Sequence, residues 1–246
     1  MASYFSRQSL VYKGKSLDIK KITNNTNARN SRSSRPYTAF NDVFNSTDKA
    51  LKEVLDLNVS KETETTLMNS HVINSVTALE VYYKDILDSI FKLCKPSSFE
   101  KKLKKLHDKT YKIDDLLDMY VHRIHPLSLI ANNLSFQNTY NIDKVFTIII
   151  EEPFFKKIKA GKYRFKDNPE KEFSLEYKQL ELLQELFDMR HELIHNPNAS
   201  YSINQDIYFK IQAAQNVVMF SDFVLGQYIS DNIDPEIEEM QDKLKH

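Results

Sequence analysis

The sequence predicts an all-α protein, an up-and-down helical bundle preceded by a flexible basic N-terminal arm. Only 3 of its 246 residues are glycine, and stretches rich in lysine, glutamate and leucine dominate, which favours helices over a sheet with many tight turns. Apolar residues also recur at spacings of three and four, the pattern of a helix with one buried face. We expect the arm to cover residues 1–45 and the helical domain residues 46–246.

The basic arm is predicted from the uneven distribution of charge. Residues 1–36 contain 8 lysines and arginines and one acid, Asp18, a balance of +7. Of the 34 residues of each sign, this leaves 26 basic and 33 acidic residues elsewhere, a balance of −7. Such an arm can attract polyanions such as RNA; a solvated tail is the alternative. Residues 22–36 contain almost nothing to bury, so we expect a linker there.

The first helices of the domain are predicted by their apolar periodicity. The first long helix should run from about Thr65 to Cys94 and stop before Pro96, and two more should cover residues 97–106 and 113–131. The apolar residues that define the buried face of the long helix are Val72, Val76, Leu79, Tyr83, Ile86, Ile90 and Leu93.

The second half of the chain should contain the most informative helix, at about residues 174–195, ended by Asn196-Pro197-Asn198. A capping box at Ser202 and Gln205 should open a long last helix through Tyr228. The other expected features are an apolar segment at residues 142–150, a short helix at 153–161, a loop or short hairpin at 162–172 and a short charged helix at the end.

Composition also bears on location and redox chemistry. No apolar run approaches the roughly 18 residues of a membrane span, and the start of the sequence lacks an apolar leader. We therefore expect a cytoplasmic protein with no membrane partner. The single cysteine, Cys94, cannot form an internal disulfide and falls in a helical apolar pattern, which predicts a core residue.

One arginine occupies an unexpected place on the helix at residues 174–195. On a helical wheel that starts at Leu180, the apolar side chains lie between about 180° and 340°, and Arg190 lies at about 280°, inside that arc. A buried charge needs a partner, and Glu80 is the candidate because it lies at an apolar edge of the first long helix. Glu80 can form a structural pair with Arg190, or it can orient Arg190 to bind an anion; both can hold together.

Two histidines follow this arginine at the border of the apolar arc. His191 and His195 lie at about 20° and 60° on the same wheel. His195 also stands at the helix C-terminus, where the macrodipole favours the protonated ring. An imidazole that moves protons beside a guanidinium that stabilises negative charge is suited to cleaving phosphoesters.

The same residues fit a rival motif. The run His191-Glu192-Leu193-Ile194-His195 matches H-E-x-x-H, in which two histidines bind zinc and the glutamate is the base. The extended form would need glycine at 198 and histidine at 201, where Asn198 and Tyr201 stand. The helix is also expected to stop at the second histidine, so this match is weak and we expect no metal or cofactor.

Three segments within about residues 65–230 carry a family resemblance. The first is Arg190-His191-x-x-x-His195, at the end of a late helix and before one more long helix. The second is residues 76–85 (Val-Thr-Ala-Leu-Glu-Val-Tyr-Tyr-Lys-Asp), and the third is residues 134–138 (Leu-Ser-Phe-Gln-Asn), followed by Asn-Ile-Asp at 141–143. Together they resemble the HEPN superfamily: the first its R-x(4–6)-H motif, the second its first helix, and the third the connecting segment of its RiboL-PSP-like branch.

The resemblance implies a metal-independent endoribonuclease. Arg190 would bind the scissile phosphate and His195 would be the general acid/base, with His191, Glu80 and Asn196 in support. The RNA 2′-hydroxyl would attack its own phosphate, leaving a 2′,3′-cyclic phosphate and a 5′-hydroxyl.

The resemblance also implies a homodimer whose motif helices face each other across a shared cleft. It further implies a role as a toxin or phage-defence effector, controlled by an antitoxin or sensor partner. A non-catalytic helical module that binds RNA or a partner, and the zinc hydrolase, remain as alternatives.

Overall fold

A computed structural model of the chain describes residues 18–30, 35–57, 59–106, 111–165, 168–202, 204–237 and 239. The predicted all-α helical bundle is confirmed, with one small antiparallel hairpin added to the helices. The elements are α1 Ile19–Asn30, α2 Pro36–Leu55, α3 Lys61–Leu93, α4 Glu100–Leu106, α5 Ile113–Val121, α6 Pro126–Asn133, α7 Thr139–Ile150, α8 Phe154–Ala160, β1 Tyr163–Phe165, β2 Asn168–Phe173, α9 Tyr177–His195 and α10 Gln205–Asn232. Residues 235–237 are also helical, where the short closing helix is expected.

The centre of the bundle is formed by α3, α9 and α10, with α2 packed along α3. Helices α3 and α10 run parallel, as contacts at both ends show. Near their N-terminal ends the Tyr201 backbone amide donates to the Asn69 side-chain oxygen at 3.0 Å. Near their C-terminal ends the Asp234 backbone amide donates to the Leu93 carbonyl at 2.8 Å. Midway, the buried hydroxyls of Tyr83 and Ser221 hydrogen-bond at 2.8 Å. The elements from α4 to α9 lie between α3 and α10 in the chain, so the two parallel helices are joined by a long connection.

The long helices were predicted closely, and the exceptions have local causes. Helix α3 begins at Lys61 because Ser60 caps it, accepting from the Thr63 amide at 3.3 Å. The single helix expected over residues 113–131 is wrong, because Pro126 opens a new helix after the left-handed Arg123 (φ 52°). Helix α10 is capped by Asn204, which accepts from the Ile207 amide at 2.9 Å, in place of the predicted Ser202.

The predicted linker is wrong over residues 22–30, which belong to α1. Ile22 is buried, and so is Arg29, which the sequence pattern could not distinguish from the other polar residues around it. Helix α2 then continues across the boundary expected at residues 45 and 46. Residues 1–17 and 31–34 of the predicted flexible arm lie outside the described part of the chain.

Two predictions from composition can be compared with the structure. Cys94 is buried at the end of α3, as predicted for a core residue, and burial raises the pKa of its thiol to about 11. Among the described helices, none has the length and apolar character needed to cross a membrane.

A buried histidine lies in the interface between α2 and α3. The ring of His71 is 1% exposed and packs against Phe44 (6.2 Å between ring centroids). Neither ring nitrogen has a hydrogen-bond partner among the described residues. Burial lowers the pKa of His71, the Lys52 ammonium lowers it further, and the Asp48 carboxylate acts in the opposite direction.

We expect this histidine to make the fold sensitive to mild acid. The folded state favours the neutral ring of His71, whereas the unfolded chain takes up a proton near pH 6.5, so the free energy of unfolding should fall as the pH is lowered through that value. His71→Leu should flatten the dependence between pH 7 and pH 5, measured by urea denaturation. His122→Asn, at an exposed histidine, is the control; equal pH slopes in the wild type and His71→Leu would contradict the prediction.

Candidate functional site

Helix α9 places Arg190 at the edge of the core. Its residues Leu183, Leu186, Phe187 and Met189 are buried, and Arg190 is half-buried on the same side, as the helical wheel predicts. The helix ends at His195, as predicted, so both histidines of the motif stand in its last turn. A long basic side chain here can bury its stem while its guanidinium reaches the edge of the bundle.

The segment that faces Arg190 connects α6 to α7 and is fixed at two points. Phe136 is fully buried and stacks on Phe146, with 5.8 Å between ring centroids. Asn138 caps α7, accepting from the Asn141 amide at 2.7 Å. Because both neighbours of Gln137 are held in this way, the exposed Gln137 side chain is directed towards α9 and α3.

Gln137 joins the arginine to the glutamate that was expected to contact it. Arg190 Nη1 donates to Gln137 Oε1 at 3.3 Å, and Gln137 Nε2 donates to Glu80 Oε2 at 3.0 Å. The other oxygen of Glu80 accepts from Lys84 Nζ at 2.9 Å. No ion pair between Arg190 and Glu80 is present among the described residues, so the expected contact is made through an amide.

No carboxylate of the described residues pairs directly with Arg190, whose hydrogen-bond partner is the neutral amide of Gln137. The four side chains Arg190, Gln137, Glu80 and Lys84 include two cations and one carboxylate, a total charge of +1, and the carboxylate is bonded to Lys84. Arg190 Nε is buried and has no hydrogen-bond partner in the described part of the chain. An uncompensated guanidinium at the edge of the core is suited to binding an anion, phosphate above all.

The two histidines form a separate pair on the solvent side of the same helix. His191 and His195 are exposed, and their ring centroids are 4.4 Å apart with the planes inclined at 52°. Within the described residues no hydrogen bond links either ring to Arg190. The structure therefore forms two separate groups. Arg190 of α9 is joined through Gln137 to Glu80 of α3, and His191 and His195 lie together at the end of α9.

The glutamate of the H-E-x-x-H run is engaged elsewhere. Glu192 accepts a hydrogen bond from the hydroxyl of Tyr201, and burial together with this carboxylate raises the pKa of Tyr201 to about 12. Nowhere in the described ranges do three or more histidine, cysteine, aspartate or glutamate side chains gather closely enough to hold a metal ion. His191 and His195 are thus a pair without a third ligand in this part of the chain.

Asn196 organises the turn after the motif helix. Its backbone amide donates to the Glu192 carbonyl at 2.8 Å, and its side-chain oxygen accepts from the Asn198 backbone amide at 3.1 Å. This is a short side-chain-to-backbone turn of the kind that asparagine favours. It holds the exposed end of α9 beside His195.

The residue that sequence reasoning did not assign to the site is Gln137. Its contact spans 53 positions to Arg190 and 57 to Glu80, so no local periodicity could reveal it. The one available signal was its position in the connecting segment that resembles the family pattern.

No family model, curated protein or solved structure matches this chain. The candidate site is therefore defined by its own residues and their geometry.

Proposed function

We propose that this protein is a metal-independent endoribonuclease of the HEPN kind. The observation that carries the proposal is the guanidinium of Arg190, held by the neutral amide of Gln137 while Glu80 is bonded to Lys84. A positive group that is oriented but not neutralised is what a phosphodiester needs for binding. The exposed imidazole of His195 lies at the end of the same helix and supplies a group that can transfer protons.

The proposed reaction is an internal transesterification. A base takes the proton of the RNA 2′-hydroxyl, the 2′-oxygen attacks the adjacent phosphorus, and the bond from phosphorus to the 5′-oxygen breaks. An acid gives a proton to that 5′-oxygen, leaving a 2′,3′-cyclic phosphate and a 5′-hydroxyl. Arg190 would bind the phosphate, His195 would act as acid/base, and His191, Glu80 and Asn196 would support them.

A homodimer would complete the site. Arg190 and His195 are five residues apart, about 140° around an ideal helix, so one helix does not direct both at one phosphate. Two copies of α9 facing each other would let Arg190 of one copy work with His195 of the other. Ile194, which is 45% exposed between the histidines, would then be covered.

The biological setting that we propose rests on the family resemblance alone. We propose a cytoplasmic protein that acts on transfer or messenger RNA as a toxin or phage-defence effector, with an antitoxin or sensor partner controlling it. The alternative is a non-catalytic module that binds RNA or a partner. One observation favours this alternative: among the described residues, no hydrogen bond joins Arg190 to either histidine. The hydrogen bonds from Arg190 through Gln137 to Glu80 could then serve only to hold the helices of the bundle together.

The test is cleavage of total RNA and transfer RNA by the purified protein with and without EDTA. We expect cleavage that persists in EDTA, with 2′,3′-cyclic phosphate and 5′-hydroxyl ends, and none on a substrate whose attacking 2′-hydroxyl is replaced by hydrogen. Arg190→Ala purified in the same way controls for contaminating ribonuclease. Loss of cleavage in EDTA would support the zinc hydrolase, and RNA binding without cleavage would support the non-catalytic module.

A further inference from the structure

Helix α5 exposes an entire apolar face. Its exposed fractions range from 49% to 82%, while Met119 is the one buried residue of the helix. The spacing of three, four, seven and eight residues is that of a face that normally packs on another element. Contiguous exposed apolar patches mark interaction sites. The residues of the face are Ile113, Leu116, Leu117, Tyr120 and Val121.

The polar residues of α5 specify the charge of whatever covers this face. Asp114, Asp115 and Asp118 are the charged residues of the helix, and it contains no basic residue. A partner that complements it must therefore present apolar side chains together with positive charge. A second copy of α5 across a two-fold axis does not meet that condition, because the same three carboxylates would face each other.

Helix α1 carries the start of the described chain to this place. Ile22 is buried in a small cluster with Met119 of α5, next to Ile124 and Leu129, and Ile19 and Tyr111 pack at its edge. The buried ion pairs of Arg29 fix the other end of α1 on α3. Residue 18 is thus held beside α5, and the 17 residues before it are attached at that point.

The sequence of residues 1–17 has the required chemistry. It contains Arg7, Lys13 and Lys15 and no acid, together with apolar residues at Tyr4, Phe5, Leu10, Val11, Tyr12 and Leu17. Seventeen extended residues can span roughly 55 Å. The nine-residue helix α5 is only about 14 Å long, so the segment can reach its whole length. Covalent attachment beside the face also gives the segment a high effective concentration there.

We propose that residues 1–17 bind the exposed face of α5, with their apolar side chains on the five apolar residues and their basic side chains on the three aspartates. In this proposal α5 is the binding surface for the N-terminal segment, through its apolar face and its three aspartates. This proposal does not depend on the ribonuclease activity, and RNA is left out of its test.

The chain contains no tryptophan, so Tyr120→Trp provides a single fluorescent reporter in the middle of the face. In the full-length chain we expect blue-shifted emission that acrylamide quenches poorly and that does not change on dilution. Two further substitution sets in that background, Arg7→Glu/Lys13→Glu/Lys15→Glu and Phe5→Ser/Leu10→Ser/Val11→Ser, should each shift the emission to the red. Adding Asp114→Lys and Asp118→Lys to the charge-reversed segment should restore the blue emission.

The matched control reverses three exposed lysines on other elements, Lys61, Lys156 and Lys178, and should leave the emission unchanged. Red emission in the otherwise unaltered Tyr120→Trp chain would overturn the proposal, because the face would then be open to water. Blue emission that survives both substitution sets would also overturn it. If that emission reddens on dilution, a second copy covers the face in place of the N-terminal segment.

Discussion

Replacing His195 by alanine is expected to slow RNA cleavage about 10²- to 10⁴-fold, the range for loss of a general acid or base. Arg190→Ala should slow it about 10²- to 10³-fold, as loss of an electrostatic stabiliser does. Both losses should appear in single-turnover rates on an end-labelled RNA in EDTA. The folded state should persist in His195→Ala, because this side chain is exposed at the end of α9.

Gln137→Glu tests more directly whether the charge of Arg190 is needed. It replaces a neutral amide by a carboxylate beside Arg190 Nη1 and takes the total charge of the four side chains from +1 to zero. If the unneutralised guanidinium is what binds phosphate, Gln137→Glu should lose as much activity as Arg190→Ala. Gln137→Ala keeps the charge of Arg190 and removes only its orientation, so we expect it to retain more activity than Gln137→Glu.

Controls for these variants come from similar residues elsewhere. Arg164 on the hairpin and His122 at the end of α5 are both exposed, and their replacement by alanine should leave the cleavage rate unchanged. Full activity in Gln137→Glu would contradict the role assigned to the charge of Arg190. Full activity in Arg190→Ala or His195→Ala would show that the cleavage comes from a different site.

The helices that could be predicted from the sequence are those whose apolar residues recur at regular spacing. Helices α3, α9 and α10 each carry a repeated buried face, and the end of α9 at His195 was predicted from the proline that follows. The starts of α3 and α10 were not, because they depend on the caps Ser60 and Asn204, which apolar spacing does not identify. Helix α1 was missed because its buried residues, Ile22 and Arg29, are surrounded by asparagine and threonine, which read as linker. Its order comes from contacts with distant residues of α3 and α6, and spacing within the helix does not report them.

The site was predictable to a similar depth. The helical wheel placed Arg190 within the apolar arc of α9, and the apolar spacing of α3 placed Glu80 at an edge of that helix's buried face. In the structure both side chains are half-buried. What periodicity cannot report is the distance between two helices, which here is wide enough to admit the side chain of Gln137. Gln137 is directed there by the burial of Phe136 and the cap at Asn138, two tertiary constraints from one short loop.

The largest expected effect on stability comes from Arg29. Its guanidinium lies between Asp85 (3.4 Å) and Asp88 (3.3 Å), with all three side chains less than 10% exposed, and it also donates to Asn132 Oδ1 at 3.0 Å. Arg29→Met removes the cation and leaves two carboxylates in a site of low polarity. We expect the free energy of unfolding to fall by about 3–5 kcal/mol, as when one partner of a buried pair is removed, measured by urea denaturation at pH 7.

The same aspartate offers a matched control for this prediction. Lys92 also pairs with Asp88, at 2.7 Å, but its side chain is 53% exposed, so Lys92→Met should cost no more than about 1 kcal/mol. Adding Asp85→Asn and Asp88→Asn to Arg29→Met should recover part of the loss, because the two buried side chains that lost the Arg29 cation are then neutral. Equal losses in Arg29→Met and Lys92→Met would mean that burial does not strengthen the Arg29 pairs, and α1 would then be held mainly by the apolar contacts of Ile22.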